Sequence, residues 1–180
     1  MAADMDEFWV FGYGSLMWNP GFPFEEKSRA RASGFHRALC LRSFVHRGTP
    51  QRPGLVLGLD RGGSCLGIAF RISAAEWAGV VDYLRERELV TEAYRERVLS
   101  VSLAGGRAVR ALAYIVDRDH AQYAGGLSAA EAAVIVANAS GRSGLNTDYV
   151  KNTLAHLGDM GIRDRWLEEV GVLIGESPQA

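Results

Sequence analysis

Phe8-Trp9-Val10-Phe11-Gly12-Tyr13-Gly14-Ser15-Leu16-Met17 is the stretch on which the fold turns. Its first four residues are an apolar run that stops at two glycines, the pattern of a buried strand feeding a tight loop. Gly12-x-Gly14-x-x-Met17 gives two-thirds of a dinucleotide fingerprint, but the third glycine is missing. Asn19-Pro20-Gly21 and Pro23 also stop a helix from following, and no GxxxxGK[ST] segment occurs. A doubly wound nucleotide-binding fold is therefore disfavoured. What remains is a strand end where glycines let backbone N–H groups approach a ligand, with Tyr13 and Ser15 adding hydroxyls. Such a loop can hold a carboxylate or stabilise an oxyanion, and an ordinary turn accounts for the same residues.

Working outward, residues 31–46, Gly54–Asp60 and Cys65–Ile72 alternate apolar and polar residues or run apolar between Gly and Pro, as strands do. Arg61-Gly62-Gly63 reads as a hairpin turn between the last two. Glu96–Leu103 and Val109–Val116 flank Gly105-Gly106 and predict a second hairpin. Ser73 with Glu76 is a capping-box pattern with Ile72 and Trp77 at the staple positions, so a helix begins at Ala74. Ser128 with Glu131 repeats the signal before an Ala/Val-rich helix ending near Gly141. Apolar spacing predicts further helices from about Asn146 to Leu157 and Arg163 to Leu173. Strands, a helix, more strands and then helices specify an α+β fold. The sheet is expected to be mixed and mostly antiparallel, or a small barrel, flanked by helices. A chain of 180 residues supports one domain, residues 1–180, with a real core.

Composition narrows the function. A formal charge of −1 supplies no general electrostatic reason to bind nucleic acid or an anionic membrane. No run of apolar residues is long enough to span a bilayer. The acidic start, Met1 to Glu7, lacks the basic-then-apolar order of an export signal, so a cytoplasmic location is expected. Cys40 and Cys65 sit in apolar segments without CxxC spacing and read as reduced core thiols. His36, His46, His120 and His156 form no HxxxH or HxH pair, so no metal site is expected. Neither Ser15 nor Ser143 lies in GxSxG. Gly141-Arg-Ser-Gly-Leu-Asn146 reads as a helix C-cap followed by an N-cap.

The first helix carries a chemical anomaly. At about 100° per residue from Trp77, Val80, Val81 and Leu84 form one apolar stripe, and Glu88 falls about 20° from its centre line. Glu86 falls on the opposite face, while Arg85 and Arg87 flank the stripe. A carboxylate directed towards a core loses hydration and gains proton affinity, and the negative end of the helix dipole acts the same way. That is what a general acid–base group requires. Pairing with Arg42, Arg47 or Arg97, or a helix that stops short of Glu88, explains the position without catalysis.

Several motifs together resemble the ChaC family of γ-glutamylcyclotransferases, in its glutathione-specific branch. They are Trp9-Val-Phe-Gly-Tyr-Gly-Ser-Leu-Met-Trp18, His46-Arg47-Gly48, Arg52-Pro53-Gly54, Gly67-Ile-Ala-Phe70, Tyr83-Leu-Arg-Glu-Arg-Glu88 with Tyr94, and Gly141-x-Ser143-Gly144-x-Asn146-x-x-Tyr149. The match covers about residues 9–155 in the family's order. It implies that Glu88 is the catalytic acid/base. It also implies that Phe11, Gly12, Tyr13, Gly14, Ser15 and Leu16 bind the γ-glutamyl group, with Arg47 and Tyr149 as further substrate-binding residues. Two departures stand out: Glu92-Ala93-Tyr94 where Gly-Gly-Tyr is common, and Leu66 where an aromatic often precedes Gly67.

The activity so implied is cleavage of glutathione to 5-oxoproline and Cys-Gly by cyclisation of its γ-glutamyl group, a lyase-class reaction needing no cofactor or metal. The partner is then a small molecule, not nucleic acid or membrane. Cyclisation of other γ-glutamyl amines or amino acids, and a non-catalytic γ-glutamyl-binding module, are the competing expectations.

Overall fold

The computed structural model describes residues 7–176, so the acidic stretch 1–6 lies outside the described residues. Five strands close into a barrel in the order β1-β3-β2-β4-β5. They are β1 (Phe8–Gly12), β2 (Glu26–Ser43), β3 (Gly54–Ile72), β4 (Tyr94–Leu103) and β5 (Ala108–Val116). The short, apolar β1 runs antiparallel to β3, from Phe8 opposite Ile72 to Gly12 opposite Ile68. Along its other edge it runs parallel to β5, with Trp9 opposite Ala111 and Val10 opposite Leu112. The sheet is thus mixed and mostly antiparallel, as the pattern of short alternating segments predicts. Gly105 and Gly106, both at positive φ, make the β4–β5 turn.

One turn did not materialise. Arg61-Gly62-Gly63 does not end a strand, because β3 runs through it for 19 residues. Gly62 and Gly63 take φ of 100° and 68°, which bends the strand without reversing it. The ring nitrogen Nδ1 of His36 on β2 lies 2.9 Å from the Gly62 carbonyl and holds the bend against the neighbouring strand.

The chain divides into two compact units. Of the described residues, the first comprises 7–37 and 61–117, and the second 38–60 and 118–176. In the first, helix α1 (Ala74–Glu88) starts where expected, with the Ser73 side chain accepting from the Glu76 N–H. Val80 and Leu84 are its buried residues, and Trp77 stacks on Phe8 with ring centroids 5.0 Å apart.

In the second unit, α2 (Ala129–Ala137) carries a complete capping box between Ser128 and Glu131. It ends before Gly141, where the side chain of Asn138 donates to the Val134 carbonyl at 2.7 Å. Two-residue strands β6 (Ser140–Gly141) and β7 (Gly144–Leu145) then form a miniature hairpin. Helix α3 (Asn146–Asp159) follows, and α4 (Arg165–Glu176) packs against α2 and α3.

Asn146 is not the expected cap. It is the first residue of α3, fully buried, and no side chain caps the helix. Its amide pairs like a strand residue with Leu55: Oδ1 accepts the Leu55 N–H at 2.8 Å and Nδ2 donates to the Leu55 carbonyl at 2.9 Å. The surrounding glycines permit the approach. A Cβ on Gly54 would lie 2.2 Å from the Arg47 carbonyl oxygen, one on Gly48 would lie 2.1 Å from the Gly54 nitrogen, and one on Gly141 would lie 2.4 Å from the Val45 oxygen. His-Arg-Gly, Arg-Pro-Gly and Gly-x-Ser-Gly-x-Asn are therefore parts of one close-packed junction. Among the described residues, no helix is long and apolar enough to cross a membrane.

Replacing Asn146 with Ala should cost about 2–4 kcal/mol, because both backbone groups of Leu55 lose their partners. The check is a fall in the urea midpoint at unchanged slope. A loss below about 0.5 kcal/mol would mean that water satisfies Leu55 and that the junction does not rest on this amide.

Candidate active site

The site grows from the end of β1. Phe11, Gly12, Tyr13, Leu16 and Met17 are buried, Gly14 is half-buried, and Ser15 is exposed. The loop therefore offers a ligand mainly its backbone and one hydroxyl, while its larger side chains anchor it. Residues Ser15–Met17 form one 3-10 turn, closed by Met17 N–H donating to the Gly14 carbonyl at 2.9 Å and Asn19 N–H donating to the Ser15 carbonyl at 2.8 Å. The amides of Ser15 and Leu16 precede the first donor of the turn and are not consumed by it.

Close backbone approach sets the loop's position. A Cβ at Gly67 would lie 2.3 Å from the Gly12 carbonyl oxygen and 2.8 Å from the Phe11 ring, so only glycine fits beside the end of β1. Arg37, 6% exposed, then braces the loop from within the first unit. Its Nε donates to the Tyr13 carbonyl at 2.6 Å and its Nη2 to the Leu66 carbonyl at 2.8 Å. The leucine that departs from the family pattern thus serves here through its backbone. A buried guanidinium is costly unless its donors are satisfied, and carbonyls of a loop need donors that no ladder supplies.

Glu88 ends α1, as the helical spacing requires, and its side chain is 18% exposed. Burial raises its pKa above the ordinary carboxylate value, and the neighbouring Arg87 guanidinium partly opposes the shift. Arg87 Nε stands 3.7 Å from Glu88 Oε1. The expected alternative of a pair with Arg97 is not what the fold makes.

Other charges nearby have separate partners. Arg85 donates through Nε and Nη2 to both oxygens of Glu96, at 3.0 and 2.9 Å, and these bonds hold the Glu96 carboxyl below its ordinary range. The Tyr114 hydroxyl also donates to Glu96, at 3.0 Å. Its phenol is pushed upward by burial first, then by Glu96, with a smaller contribution from Glu88. A neutral phenol therefore stands in the electrostatic field of Glu88 at any physiological pH.

One residue joins loop and helix. Arg87 Nη2 donates to Ser15 Oγ at 2.8 Å, and Nη1 donates to the carbonyls of Asn19 and Pro20 at 2.8 and 3.2 Å and to the Tyr83 hydroxyl at 3.1 Å. The helical spacing puts Arg87 on the flank of the stripe without indicating a role, because it does not show which loop lies beside the helix. Arg37 was missed also. Its signal was its register, since it shares an inward-facing parity with Leu39 and Leu41 on β2.

Beyond Glu88, the chain turns through Glu92, which has φ of 56° in the region that favours glycine. The residue that departs from Gly-Gly-Tyr thus occupies a glycine-like conformation.

Arg47 and Tyr149 belong to the second unit. Arg47 Nη1 donates to the Leu145 carbonyl at 3.0 Å, and its guanidinium lies 5.5 Å from the centre of the Tyr149 ring. The Tyr149 hydroxyl accepts the Leu57 N–H at 3.0 Å. Both residues therefore already have packing duties around the junction. His46 Nδ1 lies 2.9 Å from Ser143 Oγ in the same unit. Among the described residues, no group of three His, Cys, Asp or Glu side chains is arranged to hold a metal ion.

Known proteins resemble this chain in sequence and in fold. Residues 8–177 match the family described as ChaC-like protein. A glutathione-specific γ-glutamylcyclotransferase of Escherichia coli K12 is 36% identical over 171 residues, covering 95% of this chain and 74% of that protein. Glutathione-specific γ-glutamylcyclotransferase 1 of Danio rerio is 32% identical over 154 residues, covering 83% and 79%. The crystal structure of a yeast γ-glutamyl cyclotransferase specific to glutathione superposes with a TM-score of 0.83 at 23% identity, covering 95% of this chain and 96% of that one, which establishes a shared fold. With the family match spanning nearly the whole chain, this protein belongs to the ChaC-like family.

Proposed function

We propose that this protein cleaves glutathione into 5-oxoproline and Cys-Gly, with Glu88 as the general acid/base. The observation that carries the assignment is a carboxyl of raised proton affinity at the end of α1, tied through one arginine to a backbone-rich loop. The substrate is taken from the names of the Escherichia coli and Danio rerio relatives.

The chemistry suits these groups. The α-amine of a γ-glutamyl unit attacks its own γ-carbonyl and closes a five-membered ring. Near neutral pH that amine is mostly protonated, so a base removes its proton before attack. Attack by the neutral amine leaves the ring nitrogen with a second proton to shed. The tetrahedral intermediate collapses by breaking the bond to the cysteinyl nitrogen, which takes up a proton as it leaves as an amine. The two protons lost by the α-ammonium match the two gained by the departing ammonium. One carboxyl relays these protons in turn, and because the nucleophile is the substrate's own amine no water is consumed. Its raised proton affinity brings it nearer the working pH, where a group both takes and gives protons efficiently. Loop amides around Tyr13, Gly14 and Ser15 hold the substrate carboxylate or the oxyanion. Arg47 and Tyr149 are assigned a supporting part in substrate binding. We place the reaction in the cytoplasm, a reading supported by two buried cysteines that form no disulfide.

Incubated with glutathione, the purified protein should release 5-oxoproline and Cys-Gly in equal amounts, and Glu88→Gln should lower turnover by about 100-fold or more. Turnover of a folded Glu88→Gln variant at the wild-type rate would overturn the assignment. Comparison with γ-glutamyl-alanine and γ-glutamyl-lysine separates glutathione from other γ-glutamyl substrates, and binding without product formation would favour a non-catalytic module.

The same variant tests the electrostatics. Because folding raises the Glu88 pKa, the native state holds a proton that the unfolded chain releases. Wild-type stability should therefore fall relative to Glu88→Gln as pH rises from the ordinary carboxylate value through the raised one. Parallel urea curves for the two proteins across that range would show that Glu88 titrates normally.

A further inference from the structure

We propose that Arg87 is the positioning residue of the reaction, fixing the Glu88 carboxyl relative to the glycine loop. This rests on the reading of Glu88 as acid/base. A single guanidinium meets oxygens from three parts of the first unit. Nη2 reaches Ser15 Oγ at 2.8 Å, Nη1 reaches the Asn19 and Pro20 carbonyls at 2.8 and 3.2 Å, and Nε stands 3.7 Å from Glu88 Oε1. The Tyr83 hydroxyl, one helical turn earlier, takes a further bond at 3.1 Å. Tyr83 in turn closes on the same segment: a Cβ at Gly21 would lie 2.2 Å from its hydroxyl oxygen.

This division of donors matters because Glu88 is the last residue of its helix. Helix ends fray, and a carboxyl on a frayed turn would not keep a fixed distance from any substrate held by the loop. Fastening the preceding residue to Ser15, Asn19 and Pro20 makes the last turn of α1 and the loop one mechanical piece. A planar fork suits that task. A lysine ammonium, with one nitrogen, does not span the same set of acceptors.

The contacts also predict which kinetic constant responds. Arg87 touches protein groups, whereas the loop's own position is secured separately by Arg37 and by the turn at Ser15–Met17. Losing Arg87 should therefore disturb alignment in the reaction more than capture of substrate. A misplacement of about 1 Å costs on the order of 100-fold in rate.

The experiment compares Arg87→Met, Arg87→Lys and Glu88→Gln with glutathione as substrate, following 5-oxoproline release and monitoring fold by circular dichroism. Arg87→Met should lose about 10- to 100-fold in kcat while KM rises less than about 5-fold. Arg87→Lys, which keeps the charge and the stem, should recover only part of kcat. Millimolar guanidinium added to folded Arg87→Met should restore several-fold of the lost activity. A kcat within about 2-fold of wild type in Arg87→Met, with Glu88→Gln inactive, overturns the positioning role and leaves the function standing. If Arg87→Met does not fold, Arg87→Lys decides, and a wild-type kcat in that variant overturns the proposal. Activity in Glu88→Gln refutes the acid/base reading instead.

Discussion

Strand β1 has hydrogen-bonded partners on both edges, and the site is built on that fact. It is five residues long, antiparallel to β3 and parallel to β5. A strand so short has little cohesion of its own, so its position is dictated by the two longer strands beside it. Closing the sheet through β1 also leaves no exposed ladder at that seam. The strand is paired on both edges at Trp9 and Val10 and with β3 as far as Gly12, where the loop begins, and Gly67 lets the strand end press against β3 without a side chain between them. Rigid elements therefore place the loop.

The second theme is the use of arginine against carbonyls. Arg85 makes a familiar carboxylate pair with Glu96. Arg37 and Arg87 instead direct donors to the backbone oxygens of Tyr13, Leu66, Asn19 and Pro20. A chain leaving a strand end has carbonyls without ladder partners, and a guanidinium satisfies several of them in fixed directions. Glu88 is left as a carboxyl whose ion-pair neighbour, Arg87, is itself engaged elsewhere. The two properties are coupled: the donors that make the loop rigid are donors withheld from the carboxyl.

How far the sequence disclosed this depended on whether the relevant interaction was local. Helix α1 was legible because Ser73 and Glu76 cap it locally and because Val80, Leu84 and Glu88 follow one period. The strands around β1 were legible from alternation. Paired glycines permit either a reversal or a bend, and the contact of His36 with the Gly62 carbonyl, which accompanies the bend, comes from 26 positions earlier. Asn146 was misread as a cap because its partner, Leu55, lies 91 positions earlier. Arg37 and the loop-directed donors of Arg87 are hidden for the same reason, their acceptors being backbone carbonyls and a Ser15 hydroxyl far away in sequence. The motif glycines at 48, 54 and 141 pointed to the family correctly, yet their physical reason is steric and becomes visible only when the junction is assembled.

The interior of the second unit has a chemical consequence of its own. Cys40 is buried beside Asp60, which accepts from Arg118 at 2.7 Å and from the Tyr123 hydroxyl at 2.7 Å. Burial, with Asp60 adding to it, pushes the Cys40 thiol up to about 12. At neutral pH the thiol form therefore dominates, whereas thiol–disulfide exchange proceeds through the thiolate. A protein proposed to turn over a thiol tripeptide works in the presence of that thiol, and at Cys40 both burial and a thiol held protonated disfavour mixed-disulfide formation with it.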